Sequence, residues 1–185
     1  MPKLMHFAAA MFAALLVTGI TALADPNADM IKFGQALAAA KSYHMSVTTD
    51  SGRTIEMDYV APNRWHMVMG GGMEAVMIQP DMWVHVNGNW MHLSGGMGAG
   101  RMQGMVSSVQ SASDYKNDDV IRDLGMKDGY HAYDITHKGD STHSIVYLMP
   151  NSLPAKIESF QDGKKSTIVY SNFDSPSITV APPAQ

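Results

Sequence analysis

The feature that most constrains this chain is a two-residue alternation that recurs in short runs from Tyr43 to Tyr170. Tyr43, Met45 and Val47 alternate with His44, Ser46 and Thr48. Ile55, Met57 and Tyr59 alternate with Thr54, Glu56 and Asp58, and Trp65, Met67 and Met69 keep the same rhythm. This period places apolar side chains on one face of a strand and polar ones on the other. Turn signals separate the runs: Ser51-Gly52, Ala61-Pro62-Asn63, Gly70-Gly71-Gly72, Gln79-Pro80-Asp81, Asn87-Gly88, Lys138-Gly139-Asp140 and Asp162-Gly163-Lys164. Further runs are Glu74–Ile78, Met82–Val86, Trp90–Leu93, one near Val120, Tyr130–His137, His143–Met149, Ala155–Phe160 and Ser166–Tyr170, with a short edge strand at Ile178-Thr179-Val180. The reading is about nine to eleven short strands, paired antiparallel through short turns. A twisted sheet of that width must curl, which creates a concave face.

Two stretches break the pattern. Met30, Phe33, Leu37 and Ala40 recur at spacings of three and four, so a helix is predicted from Pro26 or Asn27 to about Ala40. Ser94 to Met105 is rich in glycine and methionine, and Val106–Ser113 can form a helix over the sheet. The expected class is α+β: a strongly curved antiparallel sheet, an open half-barrel, with N-terminal and mid-chain helices on its concave face.

Residues 1–24 read as a cleavable secretory signal. Lys3 precedes an apolar run from Phe7 to Val17, and Thr21-Ala22-Leu23-Ala24 ends it with small residues where signal peptidase reads. The run is short for a bilayer helix, which needs about 20 apolar residues. Residues 25–185 are then expected to be one domain, exported to the periplasm. There is no cysteine, so neither a disulfide framework, nor a Cys-ligated metal, nor a lipid-modified N-terminal cysteine is available. A formal net charge of −4 with scattered Lys and Arg gives no nucleic-acid footprint. Charged residues are 16% against 45% hydrophobic, which asks for much apolar burial or an apolar cavity.

Several phrases in order resemble the LolA-like superfamily of bacterial lipoprotein- and lipid-binding proteins. They are Ala39-Ala40-Lys41-Ser42-Tyr43-His44, Tyr59-Val60-Ala61-Pro62-Asn63-Arg64-Trp65, Gly88-Asn89-Trp90-Met91, Leu153-Pro154-Ala155-Lys156-Ile157-Glu158, and Tyr170-Ser171-Asn172-Phe173-Asp174 with its proline-rich tail. An aspartate- and glutamine-bearing phrase of LolA proper is missing where this chain has Gln79-Pro80-Asp81-Met82-Trp83-Val84-His85-Val86. The sequence is therefore more similar to the broad group of LppX- and LprG-type proteins. The resemblance implies a curved half-barrel with helices on its concave side, an apolar cavity for acyl chains, and no catalysis.

Methionine is abundant, with 17 residues of which Met1, Met5 and Met11 lie in the expected signal. An unbranched, polarizable side chain suits an adaptable apolar wall. Thioethers with imidazoles also suit Cu(I), and Met91-His92, Met97, Met102, Met105 and His66-Met67-Val68-Met69 are the candidates for it. No dense Met-x-x-Met array and no H-x-x-x-H or H-E-x-x-H spacing supports a metal. His85, His92, His131, His137 and His143 read as isolated histidines on solvent faces, and Asp118-Asp119 with Asp123 as a solvated acidic cluster. Neither a G-x-S-x-G elbow nor a phosphate loop is present, so no enzyme is expected.

The expected function is a periplasmic carrier for lipid or lipoprotein acyl chains, without cofactor, exchanging with a membrane-bound donor or acceptor protein. Its lining residues are expected to be Met45, Ile55, Met57, Tyr59, Trp65, Met67, Met69, Met77, Trp90 and Met91. The N-terminal helix and residues 94–105 would form its lid. A Met/His copper module and a structural or assembly partner are the alternatives.

Overall fold

The computed structural model describes residues 25–94, 119–136 and 142–184. The expected signal, the Gly-rich segment beyond Ser94, the expected helix at 106–113 and His137 lie outside the described residues. Helix α1 spans Pro26–Ala39. Asp25 caps it, its carboxylate accepting from Asn27 N at 3.0 Å and Ala28 N at 3.3 Å, and Pro26 opens the first turn where its missing N–H costs nothing. Met30, Phe33 and Leu37 form its buried stripe, the spacing read from the sequence.

Among the described residues eleven strands follow: β1 (Ser42–Thr49), β2 (Thr54–Val60), β3 (Arg64–Met69), β4 (Met73–Ile78), β5 (Asp81–Val86), β6 (Asn89–Leu93), β7 (Val120–Lys127), β8 (Tyr130–Thr136), β9 (His143–Leu148), β10 (Pro154–Gln161) and β11 (Lys164–Ser171). They form a single open sheet in the order β6-β5-β4-β3-β2-β1-β11-β10-β9-β8-β7. Each half is an antiparallel meander, and the halves join where β1 pairs with β11, Met45 opposite Tyr170. The Asn87-Gly88 turn between β5 and β6 has φ of 51° and 80°, the paired left-handed geometry that this dipeptide tolerates. Gly125, at φ 68°, lies at a bulge in β7 where its N–H donates to Asp123 Oδ1 at 2.7 Å.

The sheet is strongly curved. Met82 of β5 and Tyr133 of β8 belong to one buried cluster with α1, although eight strand spacings separate their strands. A flat sheet would hold them about 38 Å apart, at about 4.8 Å per strand. The cluster closes only if the sheet wraps around α1, giving the open half-barrel expected from the sequence.

The tail differs from expectation. Ile178-Thr179-Val180 is not a strand. Asp174 ties the chain back to the start of β1 instead: its carboxylate accepts from Lys41 N at 2.6 Å, and its own N–H donates to Ser42 O at 2.8 Å. With β2 on one side and β11 on the other, β1 has no edge left for a further strand.

Candidate functional site

The registers sort every strand residue onto an inner face, which meets α1, or an outer face. Across the first half of the sheet the inner rows are Tyr43–Tyr59–Trp65–Met77–Met82–Leu93 and Met45–Met57–Met67–Ala75–Val84–Met91. A third row is Val47–Ile55–Met69–Met73. Met45, Met57, Tyr59, Trp65, Met67 and Met77 are buried in one cluster with Met30, Phe33 and Leu37 of the helix, and Ile55 and Met69 pack against its margin. Met91 shares the inner parity but is 50% exposed on the edge strand. Trp90 departs from the expected lining: it pairs with His85, in the row of Glu74, Val68 and Glu56, on the outer face. Its ring lies 5.0 Å from that of His85.

One end of the inner face is a knot of rings. Tyr43 sits 4.8 Å from Tyr59, 5.8 Å from Tyr170 and 5.7 Å from Phe173, centroid to centroid, and Tyr59 lies 4.3 Å from Trp65. Such tilted contacts add about 0.5–1.5 kcal/mol per pair beyond area burial. Burial pushes the Tyr43 phenol well above its ordinary range and raises that of Tyr59, so both stay neutral; Tyr59 donates to Pro62 O at 3.2 Å.

The second half of the sheet supplies inner residues that the sequence reading did not assign to the lining: Tyr133, Ile135, Val146, Leu148, Ile157 and Tyr170. Their alternation was visible, but not their pairing with β1. Tyr133 also holds the helix, its hydroxyl donating to Asp29 Oδ2 at 2.6 Å. Lys32 meets the other oxygen of that carboxylate at 2.9 Å. These hydrogen bonds, Tyr133 first, hold Asp29 below the usual carboxylate range. Burial and then the Asp29 bond raise the phenol.

On the outer face of β1–β4 polar side chains pair with one another, and His92 and His131, expected to be isolated, meet carboxylates. His44 Nδ1 meets Asp58 Oδ1 at 2.8 Å and its Nε2 meets Glu56 Oε2 at 3.0 Å. His66 Nε2 meets Glu74 Oε1 at 2.7 Å. Partial burial works against a charged His44 ring, but the bonds to Asp58 and Glu56 outweigh it and raise its pKa. Beyond it, His92 stacks on Trp83 at 4.8 Å and meets Asp81 at 3.1 Å. On the inner side, His131 shares the parity of Tyr133, stacks on its ring at 4.7 Å and meets Asp123 at 2.7 Å, so part of the expected acidic cluster is tied into β7 and β8.

The described residues do not arrange a Ser–His relay or bring His66 together with Met67 and Met69, and the metal candidates Met97, Met102 and Met105 lie outside the described residues. Ser46 donates to Glu56 at 2.9 Å rather than to His44, so no imidazole faces that hydroxyl as it would in a Ser–His relay. His66 and Val68 point outward while Met67 and Met69 point inward, which parts the imidazole from the thioethers. Among the described residues no three His, Asp or Glu side chains converge as metal ligands. The inner face of β1–β4 offers a largely apolar surface for burial.

The structure superposes on the lipoprotein LppX of Mycobacterium tuberculosis with a TM-score of 0.60 and 16% identity, covering 85% of this chain and 100% of LppX. The fold is of the LppX type. LprF of Mycobacterium bovis shares this LppX-type fold at a TM-score of 0.58 and 14% identity, over 86% of this chain and 98% of LprF. MucB follows at 0.52 and 14% identity, over 84% of this chain and 60% of MucB. No family model matches the sequence, and no curated protein matches it. At these identities the LppX-type likeness is one of fold.

Proposed function

We propose that this protein is a periplasmic carrier for lipid or lipoprotein acyl chains, which it binds on the inner face without catalysis. One observation carries the reading: three parallel inner rows, built largely of methionine and aromatic residues, run across β1–β4 beneath α1. An ordinary core is served by residues with fixed rotamers, whereas methionine repacks around guests of varied shape. Each CH₂ that an acyl chain removes from water contributes about 0.8 kcal/mol, so a chain of ordinary length can compete with the helix for this face. LppX, a lipoprotein, has the same fold, which supports the reading by analogy alone.

In this mechanism α1 is the cover. Its buried stripe occupies the inner face in the closed state, and the Tyr133–Asp29 bond fixes its position. Opening that bond frees the helix to swing and admit a chain, and the secretory signal expected at residues 1–24 supports an event between membranes. The test is native mass spectrometry with lipid extraction on protein purified from its own periplasm, joined to titration with a fluorescent fatty acid. Co-purifying lipid and saturable binding are expected. Consistent recovery of empty protein that ignores the probe would end the carrier reading.

A further inference from the structure

The inner face changes character abruptly at one end. Across β1, β11, β10 and β9 the row Val47–Ile168–Ile157–Val146 is wholly apolar. Two residues further along each strand, about 6.8 Å away, the row becomes Thr49–Ser166–Ser159–Ser144. The Ser159 and Ser144 hydroxyls lie 3.0 Å apart, and the next pair outward is Gln161 opposite Lys164. Thr49, Ser159, Gln161, Lys164 and Ser166 line a half-open hollow of about 540 Å³, within the range of about 300–1,000 Å³ typical of small-molecule sites.

The chemistry of the lining selects a ligand class. Hydroxyls and a primary amide both donate and accept hydrogen bonds, which matches a ligand that also does both. The charges at the hollow cancel: Asp50 and Asp162 stand against Lys164 and Lys165. Lys165 is already engaged with Glu158 at 2.9 Å. An anionic head would therefore find little net attraction there.

We propose that the hollow seats the neutral, vicinal-hydroxyl head of an amphiphile, of glycosyl or glyceryl type, with its acyl chain lying along the adjoining apolar rows. This rests on the carrier reading and fixes the direction in which cargo lies: head toward the β10–β11 turn, tail toward the ring cluster of Tyr43.

The experiment compares four ligands of one chain length, each below its micellar concentration: dodecyl maltoside, monododecanoyl glycerol, dodecylphosphocholine and dodecanoate. Affinity is read by displacement of a fluorescent fatty acid. One or both hydroxyl heads should bind about tenfold tighter than the charged heads, and the better of the two identifies the source. In Ser159→Val/Ser166→Val and in Gln161→Ala that preference should fall to about threefold or less, with dodecanoate affinity unchanged. Valine is a strong strand former and Gln161 is exposed, so a melt matching wild type is expected of both variants. Equal affinity for all heads, a preference for a charged head, or a preference that survives the substitutions would overturn the head-group assignment and leave the carrier reading standing. Failure of all four ligands and of the probe to bind would remove both.

Discussion

Tyr133 and Asp29, 104 residues apart in sequence, share a 2.6 Å hydrogen bond that joins β8 to the first turn of α1. The phenol is 1% exposed, so its hydroxyl has no alternative partner in water. Replacing Tyr133 with Phe keeps the ring and removes the bond. A hydrogen bond to a charged group contributes about 1.5–3 kcal/mol, less where the carboxylate reaches solvent; a loss of about 1 kcal/mol in urea unfolding at pH 7 is expected. Asp29 has a depressed folded pKa, so its contribution is present above the unfolded value of about 3.9 and disappears as pH falls through the lower folded value. The difference between Tyr133→Phe and wild type should therefore shrink on acidification. If α1 is the cover, the same variant takes up a fluorescent fatty acid faster, and an unchanged stopped-flow rate would separate the bond from gating.

His44 carries the opposite linkage. Both ring nitrogens face carboxylates, an arrangement that only the imidazolium satisfies with two donors. Its folded pKa is raised, so the stabilisation is complete below the unfolded value of about 6.5 and is lost as pH rises through the higher folded value. NMR titration of the His44 ring should give a midpoint above 6.5. Thermal stability of wild type relative to His44→Gln should be greatest on the acid side of neutrality and decline toward pH 8. A midpoint at or below the ordinary histidine value would remove this account.

The methionine row separates packing from adaptability. Met45, Met57 and Met67 face one another on adjacent strands and are almost completely buried. Met45→Ala should cost about 2–5 kcal/mol, because the sheet cannot collapse into the space. Met45→Leu conserves volume and should cost less than about 1.5 kcal/mol. A triple leucine variant at the three positions should stay folded yet bind a narrower range of acyl chain lengths, since leucine lacks the extra rotatable bond. A chain-length series measured on both proteins checks this, and an identical profile would mean that methionine has no special part in recognition.

The inner face of β1–β3 was legible because alternation there is strict: His44, Ser46, Glu56, Asp58 and His66 are polar wherever Met45, Val47, Ile55, Met57 and Met67 are apolar. In β5 and β6 the signal fails. Trp83 and Met82, or Trp90 and Met91, are neighbours of opposite parity and both apolar, so periodicity alone does not say which faces inward. The expected lining includes both Trp90 and Met91, and the register turns only Met91 to the inner face. The contributions of Tyr133, Val146 and Tyr170 depend on β11 closing against β1, a pairing set by packing across the whole chain and written in no local pattern. The outer pairing of His44 with Asp58 was hidden for a related reason: the residues are 14 apart, and only the β1–β2 register makes them neighbours.

The three tryptophans turn that face assignment into a spectroscopic test. Trp65 is buried on the inner face among Tyr43, Tyr59 and Met77, whereas Trp83 and Trp90 lie on the outer face beside His92 and His85. A brominated fatty acid quenches an indole only at near contact. Trp83→Phe/Trp90→Phe leaves Trp65 as the single emitter, and its fluorescence should fall saturably as the brominated ligand binds. Trp65→Phe, with both outer rings retained, should bind the ligand and show little quenching. If Trp83 and Trp90 are quenched while Trp65 is not, the guest lies against the outer face, and the methionine rows are core and nothing more.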